Sequence, residues 1–585
     1  MRTRWIEVWI VASALAIGIA TAGIATAASG DAEMTRLGHE YLTEWMRRHP
    51  QLATRLGVHD RDEALPPITE QSVASDVAWL KAFRVRVRAL APEGLGFEAR
   101  LDRIVLDRRI DRELLELEDV RAWRTNPNVY VDLVSGPILA LLQRDFAPIN
   151  TRVRAATRRL KAVPEVLRAA RLNLQHPSRI ATEVAIAQSA GVIELYRTTV
   201  PALTAACHDP TLVADLTEAD TSAAQAVEEF RAFLSADLLP RADGDFALGR
   251  DRYQRKLWAD EMESTPVESL LARGERELDA TRARMEALAE RIAPGGGVAA
   301  ALESLAVDRP DAAGLVPFVS ARLDTIRAFV RTHALLTPPT REHLIVRETP
   351  SFRRSLSFAS MESPGVWEKR GNQAYFNVTP PDLNGTPRDI ADHLAFFNRA
   401  ATDIVTIHEA LPGHYYQFLA LRGVRSPLRQ ALPCGSNVEG WAHYCEQMAV
   451  EQGFGGGDPR REFAQLDLAA QRLGRLIVGI SLHTRGMTLD EASRVFQDRC
   501  YMSPVNAARE ARRGALDPTY LVYTLGKWHI LDLRAEVEQR LGARFQLRTF
   551  HDTFLRAGAV PLPVVRALVL HDLTGATDLP EEPAR

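Results

Sequence analysis

A mainly α-helical protein with one small β-sheet is the fold this sequence predicts, and three observations predict it. Apolar residues recur at helical spacing through most of the chain. Short stretches between residues 343 and 378 switch to alternation, the period of a strand. Hydrophobic content of 46% and charged content of 25% are those of an ordinary globular protein, and 585 residues suffice for several cores.

The first residues stand apart. Arg2 and Arg4 precede an apolar run from Val8 to about Ala28 that closes on Ala25-Thr26-Ala27. A basic start, an apolar middle and small residues at a cleavage site are the marks of a signal peptide. Residues 1–27 are therefore expected to be removed on export, leaving a periplasmic or secreted protein. An uncleaved anchor is the alternative, since about 20 apolar residues can span a bilayer, and only then would a membrane be a partner. No lipobox cysteine is present, which argues against lipid attachment.

Residues 28–295 read as a helical N-terminal region. Val73–Leu90, Leu101–Leu117, Pro137–Leu142, Thr151–Leu174, Leu203–Leu234 and Pro266–Ile292 carry the helical period. Gly295-Gly296-Gly297 breaks it. Residues 296–585 form the second expected region. Its expected strands are His343–Arg347, Leu356–Met361 and Gln373–Val378, with the alternation clearest in Ala374-Tyr375-Phe376-Asn377-Val378. Helices are expected from Asp403 to Leu421 and from Asn437 to Gln452. They continue through Arg461–Leu482, Leu489–Gln497, Ala507–Arg512, Thr524–Leu541 and Leu562–Leu570.

Charge excludes some partners. A formal net charge of −3 provides no global field for nucleic acid or anionic lipid, and no nucleic-acid motif occurs. The four cysteines, Cys207, Cys434, Cys445 and Cys500, are few for an exported chain and none is in CxxC spacing. That leaves buried thiols or a disulfide or two, not a zinc ribbon. Cys434 and Cys445 flank Glu439 and are alternative soft ligands.

The chemistry is concentrated in His408-Glu409-Ala410-Leu411-Pro412-Gly413-His414. A catalytic zinc takes about three protein ligands and keeps one position open. Two histidines and the downstream Glu439 supply that set, and Glu409 stays free as a base. In HExxH the histidines sit at i and i+4 on one helix face. Here they are six apart, which is about 240° around a straight helix, so a regular helix cannot aim both at one metal. Pro412 has no N–H for the carbonyl of His408 and crowds that turn. Gly413 admits backbone angles that other residues avoid. A break there would return His414 to the side of His408; without one the two rings never meet. Glu439, His443 and Glu446 follow at i, i+4 and i+7, one face of a helix, among apolar Trp441, Ala442 and Met448. Buried carboxylates on such a face need a partner or a metal.

His-Glu-Ala-x-Pro-Gly-His followed by Glu-Gly-Trp-Ala-x-Tyr-x-Glu resembles the DUF885 family of bacterial proteins, which is grouped with thermolysin-like, gluzincin-type metallopeptidases. Pro50–Gly57, Arg548–Asp552 and Gly558–Leu562 resemble its outer segments, so the likeness covers nearly all of the mature chain. The resemblance implies a helical zinc-peptidase-like architecture with the sheet beside the active-site cleft. It implies Zn2+ held by His408, His414 and Glu439, with Glu409 as general base. It places His483 and Tyr523 as oxyanion donors, a role worth about 10²–10³ in rate. His443 or Glu446 would orient a ligand from behind. Tyr375 and Asn377, on a strand expected at the sheet edge, would meet an extended peptide, and Lys527 or Arg534 a substrate carboxylate. Gly479 stands where the family usually has Asp, Met487 where it has Trp, and Thr524 where it has Lys. These departures spare the metal residues and fall among the substrate contacts.

The expected function is hydrolysis of oligopeptides, as an oligopeptidase or a carboxypeptidase, by a metal-activated water, with Glu409 taking its proton. A periplasmic peptide-binding protein that lost turnover is one alternative. A carboxylate-bridged di-metal oxidoreductase is the other; it needs two Glu-x-x-His motifs, and this chain offers one Glu439-x-x-x-His443.

Overall fold

The computed structural model describes residues 29–339, 342–350, 354 and 358–580. The expected signal peptide lies outside the described residues. Helices dominate, and the long periodic stretches become Glu70–Ala89, Phe97–Leu115, Ile149–Asn173 and Val267–Ile292. The Glu70–Ala89 helix starts at a capping box, in which Thr69 and Ser72 each bond the other's backbone N–H. The stretch 203–234 is not one helix but two, Val200–Thr204 and Pro210–Phe233. Asp209 accepts from the N–H groups of Thr211 and Leu212, and Pro210 takes the first helical position, so a new helix begins there.

The sheet has three strands: β1 (Leu344–Glu348), β2 (Ala359–Glu362) and β3 (Ala374–Val378). Leu356 and Ser357 of the expected second strand lie outside the described residues. The order is β1-β3-β2, with β3 parallel to β1 and antiparallel to β2. The expectation of β3 at the edge is therefore corrected: it is the central strand. Ala374, Phe376 and Val378 join the main core. On the opposite face Arg347 lies 3.5 Å over the Tyr375 ring and donates to Asn377 Oδ1 at 2.8 Å.

Two large cores account for most of the buried apolar residues described, and they do not follow a border at residue 295. One joins residues between Met34 and Leu114 to residues between Tyr253 and Leu570. The other encloses residues between Tyr130 and Leu238. The first helices thus pack with the C-terminal half; Asp102, for example, pairs with buried Arg429 at 2.9 Å. All four cysteines are free and buried. No helix among the described residues is long and apolar enough to cross a membrane.

Candidate metal centre

The expected helix from Asp403 to Leu421 is broken where its sequence is unusual. One helix, Arg399–Glu409, ends directly after His408; another, His414–Leu421, begins on the second histidine. The Gly413 N–H bonds back to the Ile407 carbonyl at 3.0 Å, folding the connection tightly onto the last turn. A Cβ at Gly413 would stand 1.9 Å from the His408 carbonyl oxygen, so only glycine fits this approach. Trp441 Nε1 donates to the Pro412 carbonyl at 3.0 Å and fixes the connection from the neighbouring helix.

That neighbour is Gly435–Glu451, the helix of Glu439. Its start is anchored by Asn437, which donates to the carbonyls of Gly558 (3.2 Å) and Val560 (2.8 Å), while the Cys434 N–H bonds the Ala559 carbonyl at 2.7 Å. The same helix crosses Val522–Leu541 at glycine against glycine. A Cβ at Gly440 would meet Gly526 Cα at 2.4 Å, and one at Gly526 would meet the Ser436 carbonyl at 1.8 Å. This close crossing places Tyr523 near Glu439.

His408, His414 and Glu439 converge. Both Nε2 atoms lie 3.5 Å from Glu439 Oε2, and the three donor atoms are all within 4.8 Å of one another. A tetrahedral zinc with bonds of about 2.1 Å separates its ligand atoms by roughly 3.4 Å. The same 3.5 Å is long for a hydrogen bond, so the three atoms face one another across a gap the size of an ion. The rings are nearly perpendicular at 85°, and both histidines are buried while Glu439 keeps 28% exposure. The donor set and its spacing fit zinc.

Behind His408 stands Glu446. Its Oε1 accepts from His408 Nδ1 at 2.7 Å and from Arg472 at 2.8 Å, and its Oε2 accepts from His443 Nδ1 at 3.0 Å. The bond to Nδ1 leaves the His408 Nε2 lone pair facing the cluster. Burial works to raise the Glu446 pKa, but Arg472 and His443 hold it well below the usual carboxylate range. Burial likewise drives His443 well below the usual imidazole range, so it is a neutral donor. His408 is opposite: burial lowers its pKa, yet Glu439 and Glu446 raise it to about 9, so a metal entering here displaces a proton. His414 Nδ1 is buried without a hydrogen-bond partner among the described residues, and its ring stacks on Phe418 at 5.8 Å.

Glu409 is half-buried beside the cluster. Burial raises its pKa against the pull of both imidazoles, and the Met361 N–H of β2 also reaches its carboxyl.

The family described as bacterial protein of unknown function, DUF885, matches residues 50–569. The chain belongs to the DUF885 family. Among solved structures, this DUF885 chain is similar to "a putative lipoprotein of unknown function from Shewanella oneidensis", with 24% identity and a TM-score of 0.78 over 92% of this chain and 99% of that one. It is also similar to "the putative lipoprotein from Colwellia psychrerythraea", with 17% identity and a TM-score of 0.77 over 94% and 100%. At these identities the likeness is one of fold. No curated protein matches.

The DUF885 outer motifs serve the centre from a distance. Gly558–Val560 hold the Glu439 helix, as described, and His551 bonds the Tyr444 hydroxyl at 2.8 Å. Of the remaining expected site residues, Tyr523 is brought in: its ring lies 6.5 Å from that of His408. His443 and Glu446 are in place. His483 is not. It ends the Pro459–Thr484 helix, eleven residues past Arg472 and so about 16 Å further along the axis, where it is buried and its Nε2 bonds the Gly514 carbonyl at 2.8 Å. Lys527 is also corrected: it is buried near His443 and Glu446, out of reach of a ligand in solvent. Arg534 is spent on Glu451 and Glu538. Tyr375 and Asn377 are taken up by Arg347 within the sheet. Cys434 donates to Glu261 at 2.7 Å, and neither it nor Cys445 joins the cluster. Arg472 escaped the sequence reading, because nothing local ties it to Glu446; both signals appear only when the helices pack.

Proposed function

We propose that the protein is an exported zinc-dependent peptidase of oligopeptides, with His408, His414 and Glu439 as ligands and Glu409 as general base. One observation carries the reading: three donor atoms converge at zinc spacing, one imidazole is backed by a carboxylate, and an unligated glutamate stands next to them. A bound zinc supplies Lewis-acid polarisation and an acidic water. The chain's own residues do the rest. Glu409, its pKa raised by burial, takes a proton from water and returns it to the leaving amine. Tyr523, whose ring lies 6.5 Å from that of His408, would donate to an oxyanion. β2, at the sheet edge, has its Met361 N–H at the Glu409 carboxyl, so an extended peptide would add along this strand instead of β3. The signal-like N-terminus and the lipoprotein descriptions of both structural relatives support export.

Metal analysis and peptide hydrolysis test it together, on the wild type and on Glu409→Gln. We expect about one zinc per chain in both, with turnover reduced by about 10²–10⁴ in the variant. Two metals per chain would favour the di-metal reading. Zinc without hydrolysis of any peptide in a broad library would favour the binding protein.

A further inference from the structure

Three guanidinium groups surround the Tyr523 ring: Arg475 at 5.0 Å, Arg472 at 5.7 Å and Arg513 at 6.0 Å. Two of them are neutralised. Arg472 pairs with Glu446 at 2.8 Å, and Arg475 makes a two-pronged pair with Glu510, both bonds 2.8 Å. Arg513 differs. It is exposed, it donates to the Tyr523 hydroxyl at 3.3 Å, and it forms no ion pair with a carboxylate among the described residues. Its neighbour Arg512 turns to Glu183 at 3.3 Å, and nearby Glu510 is held by Arg475, so Arg513 makes no direct ion pair of its own among the described residues. A guanidinium fork is built to take a carboxylate by two parallel bonds. Here one is presented to solvent, braced by a phenol whose ring is 6.5 Å from a metal-ligand imidazole.

We propose that Arg513, held in place by its bond to the Tyr523 hydroxyl, receives the free C-terminal carboxylate of the substrate, and that the enzyme trims peptides from that end. The proposal rests on the peptidase reading above and names its substrate class. The ring separations linking His408, Tyr523 and Arg513 are short. They leave room for a tail of about one to three extended residues at roughly 3.4 Å each between the scissile bond and the carboxylate. Lys527 and Arg534, the basic residues expected for this task, are respectively buried and paired, which leaves it to Arg513.

The test uses the zinc-loaded full protein, a set of short peptides ending in a free carboxylate, and the same peptides as C-terminal amides. Products are identified by mass spectrometry. Wild type is expected to release one to three residues from the C-terminus and to prefer acid over amide by about 10–100-fold in kcat/KM. In Arg513→Gln the acid-to-amide ratio should fall towards one, and Arg513→Lys should keep part of it. Zinc content and melting temperature of both variants check that the fold is intact, as expected for an exposed side chain. Equal cleavage of acid and amide by wild type, or a full preference retained in Arg513→Gln, would overturn the assignment and leave the peptidase reading standing. Cleavage of neither form by zinc-loaded wild type would remove both.

Discussion

Replacing Gly413 by alanine should dismantle the metal centre without touching a ligand. The added Cβ would sit 1.9 Å from the His408 carbonyl oxygen and 2.5 Å from that of Ile407, where ordinary contact begins at 3.4 Å. Both obstacles are backbone, so no side chain can swing aside. Relief requires the connection between the two histidines to shift by about 1.5 Å, whereas zinc ligands tolerate about 0.2 Å. Zinc affinity should therefore fall by at least about 100-fold, equivalent to about 2.7 kcal/mol, with a lowered melting temperature. Competition against a chromophoric chelator measures the first and circular dichroism the second. Gly423→Ala is the control, since its Cβ would meet only the Ala420 carbonyl at 3.4 Å. A Gly413→Ala protein that binds zinc within threefold of wild type and melts at the same temperature would refute the argument that this close approach brings the histidines together.

Two further outcomes follow from buried polar groups. Glu446→Gln removes the charge shared by His408, His443 and Arg472 and turns one of the two acceptor oxygens into a donor. Zinc affinity should drop about 10–100-fold, and an unchanged affinity in the chelator assay would deny Glu446 its orienting role. His59 bridges Asp62 at 2.8 Å and Glu368 at 2.9 Å. Burial lowers its pKa, but the two carboxylates prevail and raise it from 6.5 to about 9. Its contribution to stability is fully present below pH 6.5 and is lost as pH rises through 9. With a quarter of the side chain exposed, it amounts to about 1–2 kcal/mol after screening. Melting temperatures at pH 6 and pH 9.5 should converge in His59→Gln relative to wild type; an identical pH dependence would count against the bridge.

Much of the centre was legible because its signals are local. His408, Glu409 and His414 are named by their residue types, and Pro412-Gly413 announces the break that lets them meet. Glu439, His443 and Glu446 are legible as one helical face, since side chains four and seven apart share it. The three strands were legible from their β character, with alternation in Ala374–Val378. Their order was not, because β3 becomes central only through pairing with β1 and β2, and residues 374–378 carry no mark of which partners flank them. His483 misled for a related reason: it lies on the same helix as Arg472, and only the helix direction shows that it ends far from the cluster. Lys527 looked like a surface base on a charged helix, yet the Gly440–Gly526 crossing brings that face against the Glu439 helix and buries it. Arg513 carried no motif at all; its significance is that it is exposed beside Tyr523 and forms no direct ion pair among the described residues.

The core that carries the candidate metal ligands draws on residues as early as Met34 and as late as Leu570, while the Tyr130–Leu238 core draws its buried residues from its own stretch, with Leu65 and Ile68 packed against it. A chain emerging N-terminus first can therefore complete its middle helical unit early, from contacts close in sequence. The helices between Met34 and Leu114 must wait, their apolar faces uncovered, for partners several hundred residues later. The Glu439 helix waits as well, since its start is tied to the carbonyls of Gly558, Ala559 and Val560. A candidate site of this layout comes together only when residues from both ends of the polypeptide have arrived in the same compartment.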